Sequence, residues 1–333
     1  MAGTEFKLGT FAAPGGARVA AIVLGDSGFG IAATHAAFRD SAVGRAGALG
    51  ASDSIFGLLQ DWDANFAVLQ AMVAFIEKDG AKSDRFAAAR FAVKDARPLP
   101  PVIGAGKILN AAQNFQEHVD EMIRAGMSPQ GAAFSGEKST SRPYMFLKAP
   151  SCLAGATDDI AIPRGMSKID WEAELCIAIG RKAKRVKADK ALDHIAGFLT
   201  GNDVSCRDIG VRPDRPGLRS DWFGGKSHDN FAPMGPYLVP RAFVANHMKL
   251  RISLTVNGEV KQNGNTSQFI YTPEEQIDFA SNICTLEPGD LFYCGTCGGV
   301  GQGTNTFLKV GDVMETEIEG LGRMRNRFVE DKS

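Results

Sequence analysis

The chain of 333 residues carries almost no net charge: 37 lysines and arginines against 38 acidic residues leave a formal −1. With neither sign in excess, there is no general electrostatic reason to bind nucleic acid or an anionic membrane. No apolar run approaches the roughly 20 residues needed to span a bilayer. The opening Met1-Ala2-Gly3-Thr4-Glu5-Phe6-Lys7 lacks the apolar core of a secretory signal. Cysteine is sparse, and six cysteines in so long a chain without secretion features suggest reduced thiols and a cytoplasmic location. There are no internal repeats and no G-x-x-x-x-G-K-[ST] phosphate loop. The early glycines at 25, 28 and 30 do not fall in G-x-G-x-x-G order, so a dinucleotide loop is discounted. What is present is ordinary for a globular protein: 44% hydrophobic and 23% charged residues, enough for a sizeable core in one large or two smaller domains.

Taken in order, Arg18–Leu24 reads as a strand, Gly25-Asp26-Ser27-Gly28 as a turn and Phe29–Ala32 as a returning strand. From Ser52 to Lys78 the apolar residues recur at three and four, which is helical, and Asp79-Gly80 is a helix stop. Arg97-Pro98-Leu99-Pro100-Pro101 breaks any regular element and divides an N-terminal domain, 1–100, from a second domain, 104–330. Lys107–Ala112 reads as a buried strand leading into a helix over Gln113–Met122. Residues 126–142 lack any period and read as a lid or a disordered loop. Later stretches alternate between strands and tight turns, with Asn257-Gly258 the strongest hairpin signal. The fold class expected is therefore strand-dominated α+β.

Five places can carry chemistry. In Trp171–Ile179 the period of two puts Trp171, Ala173, Leu175, Ile177 and Ile179 on a core face. Glu172 and Glu174 share the opposite face, roughly 6–7 Å apart. Two carboxylates so close repel unless a cation, a proton or solvent compensates, so a divalent metal and a solvated strand face are the competing readings. The apolar run Ile195–Thr200 ends in Asn202-Asp203, a place for a third ligand. His118 and Glu121 are i and i+3 on a helix, which makes either a tautomer-fixing base pair or a surface salt pair. Lys226 sits among glycines that let backbone approach a ligand. Cys294 and Cys297 form one C-x-x-C without a second pair, so buried thiols are preferred over zinc or redox roles. The basic residues between Lys182 and Lys190 read as a solvated face.

These segments resemble the fumarylacetoacetate hydrolase family, block by block and in order. The blocks are Gln113-Asn114-Phe115-Gln116-Glu117-His118 with Glu121, Ile169–Leu175, Asn202–Asp208, and Gly225-Lys226-Ser227-His228-Asp229 before Pro233-Met234-Gly235-Pro236. Val256–Glu259, Leu286–Asp290 and Gly295-Thr296 follow. The resemblance implies a mixed β-roll catalytic domain with a smaller N-terminal α+β domain, assembled as a homodimer. It implies Mg²⁺, with Mn²⁺ or Ca²⁺ as alternatives, held by Glu172, Glu174 and Asp203. It also implies a His118–Glu121 dyad, and Lys226 close to the metal-bound substrate. Arg207 and the Gly295-Thr296 backbone are candidates for holding a substrate carboxylate. Three departures stand out; the first two argue against fumarylacetoacetate as the substrate, and the third bears on the rigidity of the Gly295-Thr296 loop. Ala111 stands where the fumarylacetoacetate-hydrolysing branch has an acidic ligand, Gly210 replaces its substrate-binding glutamine, and Cys297 replaces the proline of Gly-Thr-Pro. The expected activity is hydrolytic C–C cleavage of a 1,3-diketo acid of acylpyruvate type. The alternative is decarboxylation of an oxaloacetate-like β-keto acid, or isomerisation, through the same enolate. The stretch Arg212–Arg219 reads as either a cationic substrate contact or a dimer loop.

Overall fold

The computed structural model describes residues 4–13, 16–41, 48–126, 138–210, 212, 214, 215, 218 and 220–332. Most of the 126–142 loop and part of the 212–219 stretch lie outside the described residues.

The hairpin near the N-terminus forms as expected, with Leu24 opposite Ser27 across Gly25-Asp26. The returning strand stops at Gly30, however, and helix Ile31–Arg39 begins at once. The periodic stretch beyond Ser52 makes two helices, Ile55–Leu59 and Trp62–Asp79. Ser54 starts the first by accepting from the Gly57 N–H, and Gly80 closes the second at φ 85°, a conformation glycine adopts freely. The Arg97–Pro101 stretch, expected to be irregular, supplies strand Arg97–Leu99 at the edge of the N-terminal sheet, paired with Lys7–Ala12. An edge is where a proline fits, because its missing N–H costs no ladder bond.

The central sheet runs, edge to edge, Val239–Pro240, Ile195–Asn202, Ala173–Ile179, Leu291–Thr296, Ile108–Ala112 and Tyr144–Lys148. Only the Leu291–Thr296 and Ile108–Ala112 pairing is parallel. A second sheet of Glu259–Asn265, Arg251–Val256, Val313–Ile318, Gly322–Glu330 and Ile160–Ile162 packs on one face. Its Ile252, Leu254, Met314 and Phe328 join Leu175, Ile177 and Phe198 in one core.

The other face of strand Ala173–Ile179 is buried as well, so a solvated face is ruled out for Glu174. Cys176, Ala178, Ala196 and Leu199 pack there with Leu69, Met72 and Ile76 of helix Trp62–Asp79. Small residues make that approach possible: a Cβ on Gly180 would lie 3.0 Å from the Trp62 ring. The helix expected over Gln113–Met122 spans Gln116–Arg124. It starts later because the Asn114 side chain is engaged with the backbone of Tyr271 and Cys294. Helix Pro273–Ile283 was not read from the sequence. It opens on a capping box between Thr272 and Glu275 with Pro273 in its first turn, where proline's missing N–H costs nothing. No helix of the described residues is long and apolar enough to cross a membrane.

Candidate active site

The pairing of Ala173 with Asn202 brings the ends of two central strands together and sets the site. The Glu172 N–H donates to the Asn202 side-chain oxygen at 3.0 Å, and the Asp203 N–H donates to the Glu172 carbonyl at 2.9 Å. Glu172, just before its strand, Glu174, within it, and Asp203, just after the neighbouring strand, thereby converge. One carboxylate oxygen from each lies within 4.8 Å of the others, and all three residues are buried. Glu172 and Glu174 line a cavity of about 370 Å³ with His118, Arg207, Lys226 and Thr296.

Three cations answer these carboxylates. Lys226, ending the short helix Trp222–Lys226, donates to Glu172 at 2.8 Å and to Asp203 at 2.6 Å. Lys148, at the end of edge strand Tyr144–Lys148, donates to the other Asp203 oxygen and to the carbonyls of Phe231 at 2.7 Å and Val204 at 3.0 Å. Its three N–H donors are thus all used. Arg207 donates to Glu172 and, at 2.9 Å, to Asp170. Asp170 is itself pinned by the N–H groups of Trp171, Gly301 and Gln302. Burial alone would raise the Glu172 carboxyl, but Lys226 and Arg207 outweigh it and hold it well below the usual carboxylate range. Burial lowers the Lys148 ammonium despite Asp203.

Glu174 differs from its neighbours. No lysine or arginine pairs with it among the described residues; its recorded partner is the Gly295 N–H. Burial, followed by the charges of Asp203 and Glu172, pushes its carboxyl well up. A third buried carboxylate held against two others without a cation is the arrangement that a divalent ion relieves. An all-oxygen donor set suits hard cations of the Mg²⁺, Mn²⁺ and Ca²⁺ kind. The residues present fit such an ion.

His118 and Glu121 both lie on helix Gln116–Arg124, and His118 is buried. The His118 Nδ1 is 3.6 Å from the Glu121 carboxylate, which accepts the Gly299 N–H at 3.1 and 3.2 Å. Gly303 lets that carboxylate in, since a Cβ there would lie 2.4 Å from it.

The other groups read as substrate contacts are engaged with the protein. The Gly295 N–H faces Glu174. The Thr296 hydroxyl donates to the Ala173 carbonyl at 2.9 Å and accepts from Gln262 at 2.8 Å. Arg207 lines the cavity, with its Nη1 unbonded among the described residues. Sequence reasoning missed Lys148, Gln262 and the role of Asp170. Lys148 carried no signal of this role, since the four residues before it in its strand are all apolar and do not alternate.

All six cysteines are free, and all but Cys284 are buried. Burial pushes the Cys206 thiol up to about 11 and Cys297 up to about 12, with Cys176 and Cys294 well above their ordinary value. Thiolate is the reactive form. A thiol reagent at pH 8 is therefore expected to label at most Cys284 in the native protein and all six after unfolding. Rapid native labelling of Cys294 or Cys297, located by mass spectrometry, would reopen a redox role.

Fold and site together define a strand-rich α+β protein built around a buried carboxylate centre. Residues 107–329 match the family described as fumarylacetoacetate (FAA) hydrolase C-terminal, and the chain belongs to that family. A maleylpyruvate hydrolase of Aquipseudomonas alcaligenes is 37% identical over 269 residues, 80% of this chain and 85% of that one. A mitochondrial oxaloacetate tautomerase of Homo sapiens is 38% identical over 233 residues, 69% of each chain. The solved structure of 2-hydroxyhepta-2,4-diene-1,7-dioate isomerase from Mycobacterium marinum superposes with a TM-score of 0.68 at 26% identity. It covers 98% of this chain and 100% of that one. These relatives are enzymes of more than one reaction type.

Proposed function

We propose that the protein is a metal-dependent hydrolase of 1,3-diketo acids of the acylpyruvate type, working as a homodimer. The observation that carries this reading is that a buried histidine and two carboxylates of a buried three-carboxylate centre, Glu172 and Glu174, line one cavity. Glu172, Glu174 and Asp203 would hold a divalent ion, which would supply Lewis-acid chemistry to the substrate oxygens. His118, held by Glu121, takes a proton from the water that adds to the distal acyl carbon. The bond from that carbon to the methylene then breaks, and its electron pair stays with the methylene carbon. That carbon takes up a proton to give pyruvate, while the acyl part leaves as a carboxylic acid. Lys226 offsets negative charge on the reacting oxygens, a contribution of about 3–4 kcal/mol where a single donor of this kind has been removed. The unbonded Nη1 of Arg207 is the proposed contact for the substrate carboxylate, with the Gly295-Thr296 backbone beside it.

The test is acetylpyruvate turnover, followed by loss of enol absorbance, in chelated protein before and after adding Mg²⁺ or Mn²⁺. Activity is expected to depend on the ion. Ion at 100 times its Kd also stabilises the fold by about 2.7 kcal/mol, which raises the melting midpoint. Turnover and midpoint both indifferent to the ion would remove the metal from the proposal.

The similarity to an oxaloacetate tautomerase supports a second reading, in which the same residues form an enolate without water attack. Keto–enol exchange or CO₂ release from oxaloacetate, without any hydrolysis of acylpyruvates, would favour it.

A further inference from the structure

The cavity changes character from mouth to floor, and one strand and one helical turn build the change. Strand Tyr144–Lys148 is the edge of the central sheet. Alternate residues of a strand share a face, so Tyr144, Phe146 and Lys148 form a row. Along it exposure falls from 58% at Tyr144 to 2% at Lys148, with Phe146 half-buried between. Trp222 packs on the outer part of this row. Its ring lies 4.7 Å from Phe146 at an interplanar angle of 29°, and 5.7 Å from Tyr144. Four residues on, along the same helix, the Lys226 Nζ stands 5.3 Å from the Phe146 ring centroid. Phe146 therefore has indole on it toward the mouth and the catalytic ammonium beside it toward the floor. Asp221 fixes this turn by accepting the Gly224 N–H at 2.8 Å. Phe146 and Trp222 line the cavity, as do Met122 and the small Ala111 and Ala112.

We propose that this wall selects the acyl end of the substrate, and that the site takes diketo or keto acids whose acyl group is an aromatic ring. The inference rests on the function proposed above. The charged floor suits the dicarbonyl and carboxylate end, which fixes the direction in which a substrate enters. The opposite end then lies along Phe146 and Trp222. Flat π systems gain there from offset or edge contacts as well as from leaving water, whereas a methyl group leaves most of the wall uncovered. Met122 can adjust to rings of different outline.

Binding and turnover test this with the full chain loaded with Mg²⁺. Calorimetry compares oxamate with N-phenyloxamate, neither of which is hydrolysed on the timescale of titration. The phenyl compound is expected to bind at least about tenfold tighter, the discrimination a modest apolar contact supplies. Trp222→Ala is expected to bring the two affinities close together, while Trp222→Phe keeps most of the difference. The ratio of kcat/KM for benzoylpyruvate over acetylpyruvate should fall in the same order. Equal affinities in the unsubstituted protein overturn the proposal, and so does a ratio that Trp222→Ala leaves unmoved. If Trp222→Ala does not fold, Phe146→Leu and the unsubstituted protein's affinities decide in its place. Tighter phenyl binding with neither acylpyruvate hydrolysed supports the selecting wall and sinks hydrolysis as the reaction.

Discussion

Replacing His118 by Ala should lower kcat for acylpyruvate hydrolysis by about 10²–10⁴-fold, the usual contribution of a positioned general base. The fold should tolerate it, because the residue sits inside helix Gln116–Arg124 and alanine is the best helix former. The oxygen centre is untouched, so the rise in melting midpoint on adding Mg²⁺ should be retained. That combination distinguishes a catalytic loss from a damaged site. The 3.6 Å between His118 and Glu121 is longer than a hydrogen bond, yet such contacts often tighten only when substrate is bound. Glu121→Gln should cost less than His118→Ala. Its amide oxygen can still accept the Gly299 N–H, but the negative charge beside the imidazole during proton transfer is gone. Turnover by the alanine variant within about tenfold of the unsubstituted protein would take the dyad out of the reaction.

Much of the site was legible because its signals are local. Alternation from Trp171 put Glu172 and Glu174 together, and the i, i+3 spacing put His118 beside Glu121. Asn257-Gly258 marked its hairpin because both residues must take positive φ, and they do, at 53° and 83°. What alternation left open was whether the shared face met solvent. The answer lay in helix Trp62–Asp79, more than 90 residues earlier in the chain, covering the small side chains beyond Glu174. Lys148 was illegible for a similar reason. A lysine ending a short edge strand looks solvated, and its burial depends on carbonyls 56 and 83 residues away. Arg207 illustrates a different limit: it was placed at the site, but not its engagement with Asp170. Helix Pro273–Ile283 is the opposite case, since Thr272, Pro273 and Glu275 spell a start signal that went unread among strands.

Two of the three carboxylates, Asp203 and Glu174, should respond oppositely to neutralisation in the metal-free protein. Asp203 accepts from two buried lysines, Lys148 and Lys226. Asp203→Ala leaves Lys148 with no carboxylate and Lys226 with Glu172 alone, and breaking a buried pair from one side costs about 3–5 kcal/mol. The variant should melt several degrees lower and lose its response to Mg²⁺. Glu174 has the other balance: it faces two carboxylates, no lysine or arginine among the described residues is bonded to it, and the attraction of nearby Lys226 is outweighed. Glu174→Gln removes a carboxyl whose charged form its surroundings disfavour, while the amide oxygen can still accept the Gly295 N–H. In chelator its midpoint should equal or exceed that of the unsubstituted protein. On adding Mg²⁺ the order should reverse, because the variant lacks a charged ligand and gains little while the unsubstituted protein rises. Thermal melts of the three proteins, each with chelator and with Mg²⁺, read this directly. If Glu174→Gln were as destabilised in chelator as Asp203→Ala, the carboxylates would not be in conflict without an ion. The argument that the site is built around a cation would then lose its physical basis.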